Sequence, residues 1–176
     1  MFNFEELLKK CPSHILEKLN TLRELKERKD YHPEGNTYEH IRIVTTRLIK
    51  TGDINLILAG LFHDICKLDA AKKNQAVLLT NDPVMFENMK AEGTLKTYGH
   101  EHLASNYVVD NTEFVRKMGA NVKKVAMIVE NHMRIKQMSN MREQKIKVMI
   151  ELPVFKELLI FKEADNMLKP FLYEKK

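Results

Sequence analysis

The chain has few of the residues that build disulfide frameworks, flexible linkers or membrane spans. Among 176 residues there are only two cysteines, Cys11 and Cys66. They are far apart and neither belongs to a CxxC pair, which argues against a disulfide framework and against a zinc ribbon. Six glycines and five prolines leave little material for long flexible linkers. The longest apolar run, Ile54 to Phe62 and already interrupted by Asn55, is far too short to span a bilayer. The opening MFNFEELLKK carries acidic residues where a signal peptide would be basic. No internal repeat, low-complexity tract or long Lys/Arg run is present. These absences predict a soluble protein of a reducing compartment, the cytoplasm, with no membrane partner.

What is present suits helices. Hydrophobic residues make up 44% and charged residues 30%, enough for a sizeable core under a well-solvated surface. Lys, Glu, Leu and Met are abundant and strand-type alternation is scarce. The length predicts one domain over 1–176, with residues 1–30 as a helical extension packed on it. The net charge of +5 and pI near 9.1 tolerate anionic partners such as nucleotides or RNA without proving one.

The expected fold is an all-α compact bundle of about seven to nine helices. Two helices are expected between Phe2 and Lys29, broken at Cys11-Pro12, with Ser13 capping the second. After the turn chemistry of Asp30 to Asn36, Thr37 is expected to cap a helix carrying His40, Ile41, Val44 and Leu48. Gly52-Asp53 separates it from an almost wholly apolar helix running from Ile54 to about Lys67. Further helices are expected from Asp82-Pro83 to Lys90, from His100 to Asp110, from Asn121 to His132, and from Pro153 to Lys169, where Pro170 stops the last.

The informative residues are histidines and aspartates. His63-Asp64 ends a strongly apolar helix, where unpaired ionisable side chains would be costly and a metal ion would offset the cost. His40 lies about twelve residues before the turn at Gly52, and His63 about eleven after it. In an antiparallel hairpin rising ~1.5 Å per residue, equal arms bring the two imidazoles to one end. His100 and His132 repeat the arrangement about a connection near Arg116. Asp165 arrives on the last helix. Helical bundles build metal sites from inward-facing side chains of this kind, and imidazole with carboxylate suits divalent Mn, Fe, Co, Ni or Zn, while Mg takes carboxylate and water.

The order His40, His63-Asp64, His100, His132, Asp165 resembles the HD-domain metal-dependent phosphohydrolase superfamily. His63-Asp64-Ile65-Cys66-Lys67 is similar to its HD-[IL]-G-K signature, Gly99-His100-Glu101 to its GHE element, and Ala164-Asp165 to its terminal Ala-Asp. The stretch from His32-Pro33-Glu34-Gly35-Asn36 to His40 resembles an element of the HD domain of bacterial CCA-adding tRNA nucleotidyltransferases. Their polymerase head is absent, so nucleotide addition to tRNA is not implied. The likeness runs from about Tyr31 to Pro170. Cys66 stands where Gly is usual, and Asn36 where Asp is usual.

The resemblance implies an HD fold and a site with His40, His63, Asp64 and Asp165 as metal ligands. His100 and His132 would serve a second metal or contact phosphate. Asp64 and Lys67 are the candidate catalytic residues, and His32, Glu34, Tyr38, Lys67 and Arg134 the candidate substrate contacts. His102, two positions past His100, faces away and reads as structural. The implied reaction is hydrolysis of phosphomonoesters or cyclic phosphodiesters of nucleotides or RNA ends. Alternatives are a nucleotidase acting on deoxynucleoside 5′-monophosphates, and a non-catalytic HD module that binds RNA or protein.

Overall fold

A computed structural model describes residues 2–30 and 32–175. Tyr31, where the motif likeness begins, lies outside the described residues. The chain is all-α. Among the described residues the only β pairing is an isolated bridge between Lys26 and Asn36. The helices are α1 (Phe4–Leu8), α2 (Ser13–Thr21), α3 (Thr37–Ile49), α4 (Ile54–Phe62), α5 (Lys67–Asn74), α6 (Ala76–Asn81), α7 (Pro83–Glu92), α8 (His100–Asp110), α9 (Thr112–Lys117), α10 (Val122–Lys136), α11 (Glu143–Ile150) and α12 (Phe155–Ala164). Short 3-10 turns follow α10 and α12. No described helix is long and apolar enough to cross a membrane.

The two hairpins expected from histidine spacing both form. Gly52, in the left-handed region at φ 72°, turns α3 into α4, and Asp53 caps α4 through the Asn55 N–H. The helices approach closely at Gly60. A Cβ there would stand 2.9 Å from Leu48 Cδ1 and 3.1 Å from the Thr45 Cα, so only glycine fits without repacking. The second hairpin pairs α8 with α10, and α10 also packs on α4 and α12. One buried cluster runs from Phe4 in α1 to Phe171 past α12, with Phe62, Phe114 and Phe161 inside it. Leu22 and Leu25 join this core from the irregular segment after α2.

Several boundaries differ from expectation. The chain divides into more and shorter helices: α9 fills the expected connection near Arg116, and α5 and α6 occupy a stretch for which the sequence predicted no element. α4 stops at Phe62, and residues 63–66 form successive turns with 3-10-type bonds from the N–H groups of Ile65 and Lys67. α12 stops at Ala164 rather than Lys169. Arg47 of α3 takes the carbonyls of Ala164 and Asn166, each at 3.0 Å. Those carbonyls are thus satisfied without another helical turn. Ser13 and Thr37 are first helical residues, not caps. Pro12 precedes α2 without a side-chain cap, and Asn36 caps α3 by accepting the Glu39 N–H at 2.9 Å. The amide oxygen of Asn36 does what an aspartate would do there. Cys66 has φ −101°, so its backbone does not require glycine.

Candidate metal centre

The turn after α4 places His63 and Asp64. His63 is the C-terminal cap of α4, and its Nδ1–H donates to the Gly60 carbonyl at 2.8 Å, satisfying a helix-end acceptor. The same device recurs at His100, whose Nδ1 donates to Thr97 O at 2.8 Å, and at His132, whose Nδ1 donates to Val129 O at 2.7 Å. His40 uses a carboxylate instead, with Nδ1 2.5 Å from Glu34 Oε1. In every ring Nδ1 faces an acceptor, which leaves Nε2 free to point inward.

All four Nε2 atoms converge on Asp64. Its Oδ2 lies 3.3 Å from His63 Nε2 and 3.6 Å from His40 Nε2. Its Oδ1 lies 3.0 Å from His100 Nε2 and 3.6 Å from His132 Nε2. The Nε2 atoms of His100 and His132 are 3.3 Å apart. Asp165, at the end of α12, places Oδ1 3.0 Å from His40 Nε2. All six side chains are buried. His40 Nε2, His63 Nε2, Asp64 Oδ1 and Asp165 Oδ1 are sealed from solvent without a well-formed hydrogen bond. Polar atoms set so close together and sealed from water are unfavourable unless a proton or a metal cation lies between them.

His40, His63 and Asp64 form one group of atoms able to hold a metal ion, and Asp64, His100 and His132 a second. The ligand atoms of His32, Glu34 and His40 also lie within 4.8 Å of one another. Glu34, however, already accepts from both imidazoles, at 2.9 Å from His32 and 2.5 Å from His40. It supports the His40 ring from outside the centre.

The electrostatics follow from burial and pairing. Burial raises the Asp64 carboxyl, but His63, Lys67 and the other imidazoles outweigh it and hold it well below its usual range. Asp165 is held down likewise, by Lys136 and His40 against its burial. Burial lowers His40, yet the Asp165 and Glu34 carboxylates raise it to about 9. Burial lowers His132 to about 4, despite its contact with Asp64. Glu34 sits at about 2, where two imidazole contacts outweigh burial.

The structure brings together His40, His63, Asp64, Asp165, His100 and His132, the full set suggested by the motifs. Lys67 is adjacent and buried. Its Nζ lies 2.9 Å from Asp64 Oδ2 and 2.7 Å from Glu27 Oε1. Burial would strip its proton, but these carboxylates raise its pKa strongly. His32 keeps 20% of its side chain exposed beside Glu34. Tyr38 stands apart, buried between Phe4 and the guanidinium of Arg23, which lies 3.6 Å from its ring centre. Arg134 also stands apart, exposed and donating to Asn131 Oδ1 at 2.9 Å. His102 is 68% exposed against Glu130, away from the centre. Two neighbours were not anticipated. Lys136 Nζ lies 2.5 Å from Asp165 Oδ2; one helical turn past His132, it was open to inference from i,i+4 spacing. Glu27, which also accepts from Thr37 Oγ1 at 2.7 Å, reaches Lys67 across 40 residues, and no local pattern signals that. No family model, curated protein or solved structure matches this chain.

Proposed function

We propose that the chain is a metal-dependent phosphohydrolase of the HD type, acting on phosphomonoesters or cyclic phosphodiesters of nucleotides or RNA ends. One observation carries the reading. Four imidazole Nε2 atoms converge on the two oxygens of one buried aspartate, each ring held by an acceptor at Nδ1. The motif order supports the reaction class. His40, His63, Asp64 and Asp165 would hold a first divalent ion, and Asp64, His100 and His132 a second. Such an ion, whether Mn, Ni, Co, Fe, Mg or Zn, would supply a water-derived hydroxide near neutral pH and Lewis-acid polarisation of a phosphoryl oxygen.

The chain's own groups divide the remaining work. Asp64 stays ionised and shared between the two halves of the site. Lys67, sealed between Asp64 and Glu27, orients that carboxylate and cannot meet a substrate without leaving both partners. Lys136 is different. Its side chain is 32% exposed beside Asp165, so it is the cation best placed to offset charge developing on a phosphoryl group. Glu34 fixes the His40 ring.

Metal analysis of purified protein, paired with hydrolysis of bis-p-nitrophenyl phosphate across Mn, Ni, Co, Mg and Zn, tests this. One or two equivalents with metal-dependent turnover are expected. Folded protein that takes up no metal on reconstitution and turns over nothing would overturn it. Comparing 2′,3′-cyclic nucleotides with deoxynucleoside 5′-monophosphates then separates action on RNA ends from nucleotidase action.

A further inference from the structure

Where α10 ends, the chain passes through the 3-10 turn Met138–Asn140 into α11. A cavity of about 620 Å³ opens there, lined by Arg134, Gln137, Asn140, Met141, Arg142 and Lys145. Three of these side chains are cationic and none is acidic. Arg142 and Lys145 form no ion pair with any described carboxylate, and the one acid nearby in sequence, Glu143, is engaged by Lys147 at 2.8 Å. Arg142 is also the cap residue of α11 and makes no side-chain cap bond. Gln137 and Asn140 contribute neutral hydrogen-bonding groups between the cations.

We propose that this basic cavity binds the phosphodiester backbone of a single-stranded nucleic acid. Two observations favour that ligand, and one bears on its specificity. The cations are exposed ends of long side chains spread over two helices and a turn, which suits a row of phosphates better than one tightly caged ion. No aromatic side chain lines the cavity, so no base-stacking platform exists, and recognition rests on phosphate and sugar without base preference. The surface is concave, and its one apolar residue, Met141, is half-buried. A lipid surface is flat and rewards protruding apolar groups beside the cations.

The site also has a place in the molecule. α10 brings His132 to the metal centre and, two residues on, Arg134 to this cavity, whose Asn131 partner lines the neighbouring groove between α8 and α10. The inference does not depend on the phosphohydrolase reading, since phosphate binding by these cations needs no metal.

The test is fluorescence anisotropy with labelled single-stranded RNA 12-mers of uridine and of adenosine, in EDTA, across 50–200 mM KCl. Binding should fall with salt at a slope of about −2 on logarithmic axes, for three phosphates at about 0.7 each. That is roughly a twenty-fold loss over this salt range. The uridine and adenosine strands should bind alike. The double variant Arg142→Gln/Lys145→Gln should flatten the slope by about 1.4. The variant Lys72→Gln/Lys73→Gln, which removes two exposed lysines at the far end of α5, should leave the slope unchanged. Circular dichroism confirms that each variant is folded. No binding by the parent protein, equal binding by parent and Arg142/Lys145 variant, or an equal loss in the Lys72/Lys73 variant would overturn the proposal. Binding to phosphatidylserine vesicles in place of RNA would overturn it too, and assign the cavity to a lipid surface.

Discussion

The two flanks of Asp64 use the same kind of ligand and differ in charge. On the Oδ2 side, His40 stands between two further carboxylates, Glu34 at its Nδ1 and Asp165 at its Nε2. With no metal bound, those two carboxylates outweigh its burial and raise its imidazole to about 9. On the Oδ1 side, His100 and His132 are held by the backbone carbonyls of Thr97 and Val129. Glu101 approaches His100 only from the rim, at 3.5 Å. Burial keeps His132 neutral. A ring supported by a carboxylate is more basic and finds more negative charge around the incoming ion than one supported by a peptide carbonyl. If the centre holds metal as proposed, the His40 flank would hold a cation more tightly, and the His132 flank would hold one more weakly, with a nitrogen-rich set that favours Zn, Ni or Co over Mg.

The largest expected effect removes the shared group. Asp64→Asn should lose both ions by elemental analysis and reduce phosphodiester turnover to background, while helical circular dichroism persists. Retained turnover would break the idea of a shared carboxylate. The next pair of variants separates the flanks. His63→Ala should lose the tight ion and all turnover. His132→Ala should keep about one equivalent after dialysis and lose only the weaker site. Identical metal content in the two variants would show that the flanks are equivalent. On the outer side of the first flank, Glu34→Gln keeps the shape of the side chain and removes its charge. It should weaken the tighter affinity by roughly 10–100-fold, leaving the weaker one unchanged in a two-site titration.

The same contrast shows how much of the fold and site is legible in the sequence. Helix content, the two hairpins and the meeting of six ligand candidates were legible because they depend on spacing. His40 and His63 are nearly equidistant from Gly52, as are His100 and His132 from the α9 region, and helical rise does the rest. The supporting groups were less legible, because they come from segments distant in sequence. Glu27 reaches Lys67 from the irregular segment after α2, and Arg47 ends α12 from across the bundle. Tyr38, a candidate substrate contact, lies two residues before His40. On α3 that offset turns it to the other side, onto Phe4 and Arg23. The stop of α4 at Phe62 was hidden by its own apolar sequence, which carries no breaker until the turn itself is made by Ile65 and Lys67.

The smallest predicted effect is on stability without metal, and it assigns one pH limb to each flank. His40 has a folded pKa of about 9, above an unfolded value of roughly 6.5. Its contribution is fully present below pH ~6.5 and is lost as pH rises through about 9, because the folded state then binds more protons than the unfolded one. His132 behaves oppositely. With a folded value of about 4, it leaves the unfolded chain binding more protons between pH ~6.5 and 4, so stability falls as pH drops through that window. Asp64, Asp165 and Glu34 are all depressed, and they cost stability only below their unfolded values near pH ~4. Metal-free protein should thus melt highest near pH 6–7, each kcal/mol lost moving the midpoint by roughly 2–4 °C for a chain of this size. Glu34→Gln should flatten the alkaline limb alone, and His132→Asn the limb between pH ~6.5 and 4 alone. A melting temperature that changes monotonically across this range, or variants that shift both limbs together, would show that the two flanks titrate as one unit.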